Sequence, residues 1–325
     1  MKRLFLLSLP FLILASCASD KNEQEPILLI TKEKEIEQLY KMDGNGTILP
    51  ILNDSGKIAN PSLSPDRTKL AYMSENMGSW DVHIYDIASG ESQNVTNSPD
   101  IDGFPSWSTD GNMIAYMSAV GGNRDIFISK IDGSNKERIT NASTIELEPL
   151  WSPSGKPVIY FKSVNSRYEG LFRKDLTSGQ TVEIGATNGA HTTLRQVPGK
   201  NQISYIQKSN KVNSFMVFDE GEMRNYSLLE TPSRMSGYAW SPDGKQVAIA
   251  INGQLEVYDY TFEDGLALSF VIEYAAYPAW SKSGDNLYYN KRIEGILQLF
   301  KLHLKSGVET QITNTPFDST DALPY

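Results

Sequence analysis

A short phrase recurs along the chain with a period near 44 residues, and this repeat constrains the fold more than any other feature. Clear copies occupy residues 60–66, 104–111, 148–155, 238–244 and 277–284, and a degenerate copy occupies residues 193–199. Leu63, Trp107 and Trp151 stand at the same place in their copies, each 44 residues from the next. Self-similarity at this interval indicates that one structural unit is built several times.

Each copy of the phrase is followed by three short β-rich runs, exemplified by residues 70–73, 83–85 and 92–97. Helical periodicity is absent after residue 17. Four short antiparallel strands per repeat are typical of a propeller blade. Pro-Asp-Gly in the phrase predicts a tight turn between the first two strands, because Asp bonds neighbouring backbone groups and Gly accepts positive φ. We expect an all-β fold, a β-propeller whose tryptophans pack between adjacent blades.

The number of blades follows from the two ends of the chain. Residues 27–56 contain a second, third and fourth strand without a first, whereas residues 321–325 carry a proline 46 residues after Pro278. A C-terminal first strand joined to the N-terminal strands gives seven blades and pairs edges that both termini would otherwise expose. The 299 residues from 27 to 325 correspond to about 6.8 repeats of 44. Six blades are the alternative, favoured by the degenerate fourth copy.

The N-terminal segment has the pattern of an export signal. Residues 1–16 consist of a basic start, a short apolar run and small residues, and Cys17 follows as the only cysteine in the chain. Residues 14–17 resemble the bacterial lipobox, and this resemblance implies cleavage before Cys17 and attachment of diacylglycerol to it. The alternative is an ordinary secretory signal with an incidental cysteine. We predict a signal peptide at 1–16, a lipidated cysteine and flexible tether at 17–26, and one propeller domain at 27–325.

The net charge and the hydropathy of the chain restrict the kinds of partner and the cellular location that we expect. The chain has 39 acidic against 30 basic residues and a net charge of -9, which argues against nucleic acid as a partner. After the signal, no segment is long and apolar enough for a transmembrane helix, so we expect membrane attachment through the lipid only. Ala18 stands where enteric lipoproteins of the inner membrane carry aspartate, which favours the outer membrane. We expect a monomer.

The repeat phrase, Pro-x-Trp-Ser-Pro-Asp-Gly-x-x-Ile-Ala-Tyr, resembles the WD40-like repeat of the TolB propeller family. The same repeat occurs in the gating propellers of prolyl oligopeptidases and Tricorn proteases and in oligogalacturonate lyases. The resemblance covers nearly all of the mature chain, but the matching residues are turn and packing positions, so it implies architecture more than function. TolB carries an α/β domain before its propeller, whereas nine residues separate Cys17 from the first strand here.

The resemblance implies a non-catalytic binding or scaffolding lipoprotein of the bacterial envelope, with a protein, peptide or small partner held at the central funnel. A Gly-x-Ser-x-Gly elbow is absent, and no peptidase domain follows Tyr325, so we expect no enzyme. The alternative is a polysaccharide-binding or polysaccharide-processing protein like the lyases, whose propeller holds a divalent metal with several histidines. His83, His191 and His303 lie in different strand contexts, so we expect no cofactor, with calcium or manganese as the alternative.

The loops that lead into the first strands are predicted to open at the mouth of the central channel. They are rich in acids and tyrosines, which could bind a cation, a basic peptide end or a sugar ring. Alternatively, Asp and Ser favour turns there and acids keep the protein soluble. The repeated Asp66, Asp110 and Asp243 are predicted to have a structural role in turns. The candidate residues of this rim are Asp100, Asp102, Glu146, Glu148, His191, Arg234, Tyr238, Tyr274, Tyr277, Asp318 and Asp321.

Overall fold

The computed structural model describes residues 26–33, 36–43, 47–51, 57–76, 78–166, 168–187, 194–208, 211–316 and 318–324. These residues form seven four-stranded antiparallel sheets and no helix. The prediction of a seven-bladed propeller is confirmed, and the six-bladed alternative is wrong because the degenerate fourth copy builds a blade of its own.

The strands are numbered along the chain, and the blades from the one that contains the N-terminal strands. Blade 1 begins with β1 (Ile27–Glu33), β2 (Ile36–Met42) and β3 (Ile48–Pro50). Blade 2 comprises β4 (Ile58–Leu63), β5 (Lys69–Asn76), β6 (Ser79–Asp86) and β7 (Ser92–Asn94). Blade 3 comprises β8 (Asp102–Trp107), β9 (Met113–Ser118), β10 (Asp125–Lys130) and β11 (Glu137–Arg138). Blade 4 comprises β12 (Ile145–Trp151), β13 (Val158–Asn165), β14 (Tyr168–Asp175) and β15 (Thr181–Thr187).

Blade 5 comprises β16 (Arg195–Gln196), β17 (Gln202–Lys208), β18 (Asn213–Asp219) and β19 (Arg224–Thr231). Blade 6 comprises β20 (Met235–Trp240), β21 (Gln246–Ile251), β22 (Gln254–Thr261) and β23 (Gly265–Ile272). Blade 7 comprises β24 (Ala275–Trp280), β25 (Asn286–Ile293), β26 (Ile296–His303) and β27 (Val308–Gln311). The last strand, β28 (Asp318–Pro324), is the innermost strand of blade 1.

The ring closes where the two ends of the chain meet. Strand β28 pairs antiparallel with β1, which places Pro324 opposite Ile27 and Ala322 opposite Leu29. Arg67, in the first turn of blade 2, donates from Nη1 to the carbonyl oxygen of Pro324 at 3.0 Å. Ile27, Leu29 and Ala322 are buried against blade 7, so the closing strand belongs to the core.

The repeat phrase itself forms the innermost strand of each blade, and the residue before its proline makes a β-bulge. Asn60, Phe104, Glu148 and Tyr277 have φ of 49°, 57°, 51° and 52°, values in the left-handed region that non-glycine residues seldom adopt. The pairing with the second strand shifts register at the same place in each of these blades. Proline is tolerated there because the channel edge of the innermost strand is unpaired and needs no backbone N–H.

Tryptophans of the phrase join adjacent blades, as the sequence predicts. The indole Nε1–H of Trp280 donates to the carbonyl oxygen of Ala239 at 3.0 Å, and that of Trp240 donates to Ser204 Oγ at 2.8 Å. In the degenerate copy Gln196 replaces tryptophan, and its Nε2 donates to the carbonyl oxygen of Trp151 at 2.9 Å. An amide therefore preserves the inter-blade hydrogen bond where the indole is missing.

The Ser-x-Asp segment of the phrase closes the turn between the first and second strands. Ser108 Oγ donates to Asp110 Oδ1 at 2.6 Å, and the backbone N–H of Met113 donates to Ser108 Oγ at 2.9 Å. The hydrogen bond from Ser108 above all, with those from the backbone and side chain of Asn112, holds the pKa of Asp110 below its usual value. Asp66 and Asp243 accept the same bonds in blades 2 and 6, so this set of aspartates is structural.

Candidate functional site

The innermost strands of the seven blades enclose a central channel of about 950 Å³. Its wall combines the rings of seven prolines with tryptophan side chains and the unpaired strand edges. Five of the prolines lie in the innermost strands, namely Pro61, Pro105, Pro149, Pro278 and Pro324, and Pro65 and Pro198 lie in the turns that follow these strands. We call the end at which the innermost strands begin the mouth face, and the end with the Ser-x-Asp turns the turn face.

Glu148 and Arg195 are the charged residues in the described lining of the channel. Glu148 is neutralised, because Lys162 Nζ of the neighbouring strand donates to its Oε1 at 2.9 Å. The Lys162 side chain is only 7% exposed, so this ion pair forms part of the wall. Glu148 reaches the channel because the bulge turns its backbone.

Arg195 lies in β16 and is exposed to the channel. Its guanidinium carbon is 5.6 Å from the ring centre of Tyr238, a cation–π geometry. Tyr238 is buried, and its hydroxyl donates to the carbonyl oxygen of Ser204 at 2.6 Å. Burial also raises the pKa of Tyr238, so the ring is neutral. Tyr238 therefore supports Arg195 and does not itself reach the rim.

Asp102 and Glu146 are each 1% exposed, so they do not present carboxylates at the mouth. They occupy the same position of the innermost strand in their two blades, and the residues at this position in four other blades are buried too. These residues are Ile58, Met235, Ala275 and Ser319. Asp102 and Glu146 thus stand in core positions between blades, which is why the predicted acidic rim does not assemble around them.

Each of these two carboxyls lies near an aspartate at the start of the third strand of the preceding blade. Asp81 acts electrostatically on Asp102, and Asp125 acts on Glu146. Burial, reinforced by the neighbouring acid, raises the pKa of Asp102 and of Glu146 above their usual values. Asp102 Oδ1 and Glu146 Oε2 have no hydrogen-bond partner among the described residues. The two inter-blade contacts are therefore destabilised when these acids are ionised.

The remaining predicted rim residues divide between exposed and bound positions. Tyr274 is 82% exposed and Tyr277 is 48% exposed on the mouth face of blade 7, and Arg234, directly before β20 of blade 6, is exposed as well. Asp318 Oδ1 accepts the backbone N–H of Leu297 at 2.7 Å, and Asp100 is half-buried. Asp321 lies in β28, opposite Ile30. His191 and Cys17 lie outside the described residues.

An apolar collar on the mouth face was not foreseen from the sequence. The loops and strand ends of blades 3, 4 and 7 expose large apolar side chains there, and we call this set the apolar collar. The backbone N–H of Ala119 donates to the carbonyl oxygen of Ile101 at 2.9 Å, which joins two of the loops. The sequence contained one signal for this collar, namely the isoleucines that stand next to acidic residues in the loops. The collar comprises Ile101, Val120, Ile145, Tyr274, Tyr277 and Ile293.

The described part of the chain contains no group of three or more His, Cys, Asp or Glu side chains placed to hold a metal ion. His83 lies beside the ring of Tyr72 in blade 2, and His303 Nδ1 is 2.9 Å from Ser306 Oγ in blade 7. The same residues include no helix that is long and apolar enough to span a membrane.

The sequence profile of the TolB beta propeller domain matches residues 26–247, more than half of the chain. The chain belongs to this family. No curated protein sequence shows significant similarity to it. Family membership agrees with the repeat phrase, whose residues are those of turns and blade contacts.

Solved structures with the same fold include proteins of different activities. TolB from Acinetobacter baumannii has a TM-score of 0.59 at 16% identity, over 93% of this chain and 66% of that protein. An oligogalacturonate lyase in complex with manganese has a TM-score of 0.67 at 10% identity, over 90% of this chain and 86% of the lyase. The periplasmic gluconolactonase of Pseudomonas aeruginosa has a TM-score of 0.65 at 15% identity, over 92% and 99%. These identities establish the fold alone, and the chain spans about two thirds of the Acinetobacter protein.

Proposed function

We propose that this TolB-family propeller is a non-catalytic binding protein of the bacterial envelope that holds a protein or peptide partner on its mouth face. The observation that carries the proposal is the apolar collar, whose residues in blades 3, 4 and 7 are exposed on the face where a channel of about 950 Å³ opens. Large apolar side chains that are exposed together on one face of a domain are typical of an interaction site.

The collar has the composition of a protein-binding surface. Tyr274 and Tyr277 offer large aromatic faces, and aromatic anchors carry much of the free energy of protein association. Ile145 is 37% exposed. The residue before it, Thr144, donates a hydrogen bond from its hydroxyl to Glu146 Oε1 at 2.6 Å. The collar residues stand on the ends of paired strands and short loops, so little ordering is needed when a partner binds.

Lipid attachment at Cys17 belongs to this proposal, and it orients the propeller. Strand β1 begins at Ile27 on the turn face, where Arg67 holds Pro324. A tether of ten residues reaches at most about 36 Å when extended. The turn face would then lie toward the membrane, and the collar would point away from it, accessible to a partner in the periplasm or outside the cell.

A second candidate function is the binding or processing of a polysaccharide. It is supported by the exposed rings of Tyr274 and Tyr277, which suit stacking on sugar rings, and by the shared fold with the oligogalacturonate lyase and the gluconolactonase. Processing of the polysaccharide, unlike its binding, would need metal ligands or a catalytic group beyond the residues that carry the first proposal.

The test is capture of partners from envelope extracts with tagged protein after chemical crosslinking. Tyr274→Ser and Ile145→Asn remove apolar surface from the collar, and Met223→Ser and Val308→Ser remove comparable exposed surface elsewhere. We expect the collar variants to lose the crosslinked partner and the control variants to keep it. An identical set of partners for all four variants would refute the proposal, whereas retention on a polygalacturonate column that depends on Tyr274 would favour the second candidate.

A further inference from the structure

Arg195 departs from the pattern of its own position in the repeat. It pairs with Ser204, as Ser106 pairs with Ala115 and Ala239 pairs with Ala248. The corresponding residues of the other six blades are small or apolar and uncharged: Ser62, Ser106, Leu150, Ala239, Ala279 and Leu323. A single guanidinium therefore enters a channel wall that is otherwise uncharged at this level.

The guanidinium of Arg195 has no carboxylate within ion-pairing distance in the described part of the chain. The other charged residue of the lining, Glu148, already binds Lys162 at 2.9 Å. The planar donors of arginine match a carboxylate, and charge-assisted bonds of this kind are stronger where water is partly excluded. An unpaired arginine in the channel is thus a site for an anionic group from outside the chain.

The position of this guanidinium is fixed before any ligand arrives. The guanidinium carbon lies over the buried ring of Tyr238, 5.6 Å from its centre, and this ring is held by the bond from its hydroxyl to the carbonyl oxygen of Ser204. The hydroxyl of Ser204 in turn donates to the carbonyl oxygen of Arg195 at 3.3 Å. This cation–π contact restrains the guanidinium, which lowers the entropy lost when a ligand binds.

We infer that Arg195 binds a carboxylate of an extended peptide that enters the channel from the mouth face. The inference rests on the proposed function, since the peptide is a segment of the partner held at the collar. The proline rings and tryptophan edges of the channel supply apolar contacts, and the unpaired edges of the innermost strands supply backbone hydrogen bonds for a peptide. The carboxylate is either a chain terminus or an Asp or Glu side chain.

Four probes distinguish the sources of the carboxylate. Three are hexapeptides based on Ala-Leu-Pro-Ala-Leu-Ala: one with a free C-terminus, one amidated, and one amidated with glutamate as its fourth residue. The fourth probe is trigalacturonate. Binding is measured by calorimetry and by the Nε–Hε resonance of Arg195 in NMR spectra. Arg224→Gln is the matched control for Arg195→Gln, because Arg224 also stacks on a tyrosine in blade 5, at 5.2 Å from Tyr226, but lies on the outer strand.

We expect the free-acid peptide, the glutamate peptide or both to bind and to shift the Arg195 resonance, and the amidated apolar peptide to bind at least tenfold more weakly. Arg195→Gln should weaken the binding about ten- to a hundredfold, the range for a charge-assisted hydrogen bond, and Arg224→Gln should leave it unchanged. Arg195→Lys keeps the positive charge but lacks the planar N–H donors of the guanidinium, so it should give an intermediate loss of affinity. This variant replaces Arg195→Gln as the test if the glutamine variant has a lower unfolding midpoint.

Equal binding of all three peptides, equal effects of Arg195→Gln and Arg224→Gln, or no binding of either carboxylate peptide at millimolar concentration would each overturn the inference. Binding of trigalacturonate alone through Arg195 would overturn the assignment to a peptide. These failures are separate from failure of the proposed function, which is decided by the collar variants and the crosslinked partner.

Discussion

The indole Nε1–H of Trp107 donates to the carbonyl oxygen of Ser62 across the boundary between blades 3 and 2, at 2.9 Å. Both residues belong to the repeat phrase of their own blade, so one repeat supplies the donor and the previous one the acceptor. The ring of Trp107 packs with Val82, Ile84 and Ile114 in the same boundary. The residues that define the repeat phrase therefore also form the contact between neighbouring blades.

Loss of this hydrogen bond should be measurable in Trp107→Phe. The variant keeps an aromatic ring in the boundary but leaves the carbonyl oxygen of Ser62 without its indole donor. We expect a loss of about 1–2 kcal/mol in the free energy of unfolding, measured by urea denaturation. Trp151→Phe is the matched control, because Trp151 is similarly buried but its Nε1 has no hydrogen-bond partner among the described residues. An equal loss in both variants would show that packing alone is responsible.

Thr96→Val should destabilise the connection between blades 2 and 3. Thr96 Oγ1 accepts the backbone N–H of Val82 at 2.9 Å and donates to Asp81 Oδ1 at 2.8 Å, all in buried surroundings. Valine has the same shape and leaves both groups without this partner, so we expect a loss of about 1–3 kcal/mol in urea denaturation. Thr310→Val, at an exposed position of β27, should change stability by less than about 0.5 kcal/mol. A small effect at Thr96 would mean that water replaces the hydroxyl.

Asp102→Asn should stabilise the protein at neutral pH. Burial is the main cause of the raised pKa of Asp102, with the charge of Asp81 adding to it and the side chain of Ser118 opposing it. A carboxyl whose pKa is higher in the folded than in the unfolded state stabilises the fold when protonated. This contribution is complete below the unfolded value of 3.8 and is lost as the pH rises through the folded value. The wild-type protein therefore carries a cost at pH 7 that the amide removes, on the order of 1 kcal/mol.

The measurement is the difference in unfolding free energy between Asp102→Asn and the wild type at several pH values from 4 to 8. The advantage of the variant should be greatest at neutral pH and should vanish toward pH 4, and Glu146→Gln should behave alike because its pKa is raised by burial as well. Asp110→Asn is the control with the opposite sign, since hydrogen bonds from Ser108 and Asn112 lower its pKa. An advantage of Asp102→Asn that does not vary with pH would contradict the assignment.

The architecture could be derived from the sequence because its determinants are local and repeated. The Ser-x-Asp turns and the tryptophans fall at a constant interval, and the three N-terminal strands lack a first strand that the C-terminus supplies. One detail differs from the sequence alignment, which matched Pro324 with Pro278. In the structure Pro324 ends β28 opposite Ile27, as Trp107 ends β8 opposite Ile114.

The candidate site could be predicted only in part, because polar residues near a loop look alike in sequence whether they are buried or exposed. Asp102 and Glu146 follow turn-like segments, yet the closure of the ring brings the preceding blade over them. Arg195 was overlooked because its copy of the phrase is degenerate, so its deviation from the other blades became visible only when strand pairing aligned them. Whether a side chain between two blades is buried depends on the closure of the whole ring, and the sequence of a single repeat does not determine it.

The closing strand is expected to be indispensable. Removal of residues 318–325 would take away β28, uncover the edge of β1 and expose the buried side chains of Leu29 and Tyr288, which pack with Ala322. Because adjacent blades stabilise one another around a closed ring, we expect a loss on the order of 5 kcal/mol or more, comparable to the whole stability of a domain. The truncated chain should also self-associate through the freed edge of β1, as seen by light scattering.

Adding the missing strand as a separate peptide distinguishes loss of the pairing between β28 and β1 from an unrelated defect of the shortened chain. A synthetic peptide of residues 318–325 should restore a cooperative urea transition to the truncated protein, because the pairing of β28 with β1 is antiparallel and needs no covalent link. The same peptide with Ala322→Asp places a charge in the buried boundary with blade 7 and should fail to do so. Full stability of the truncated chain without any peptide would show that the ring does not depend on its C-terminal strand.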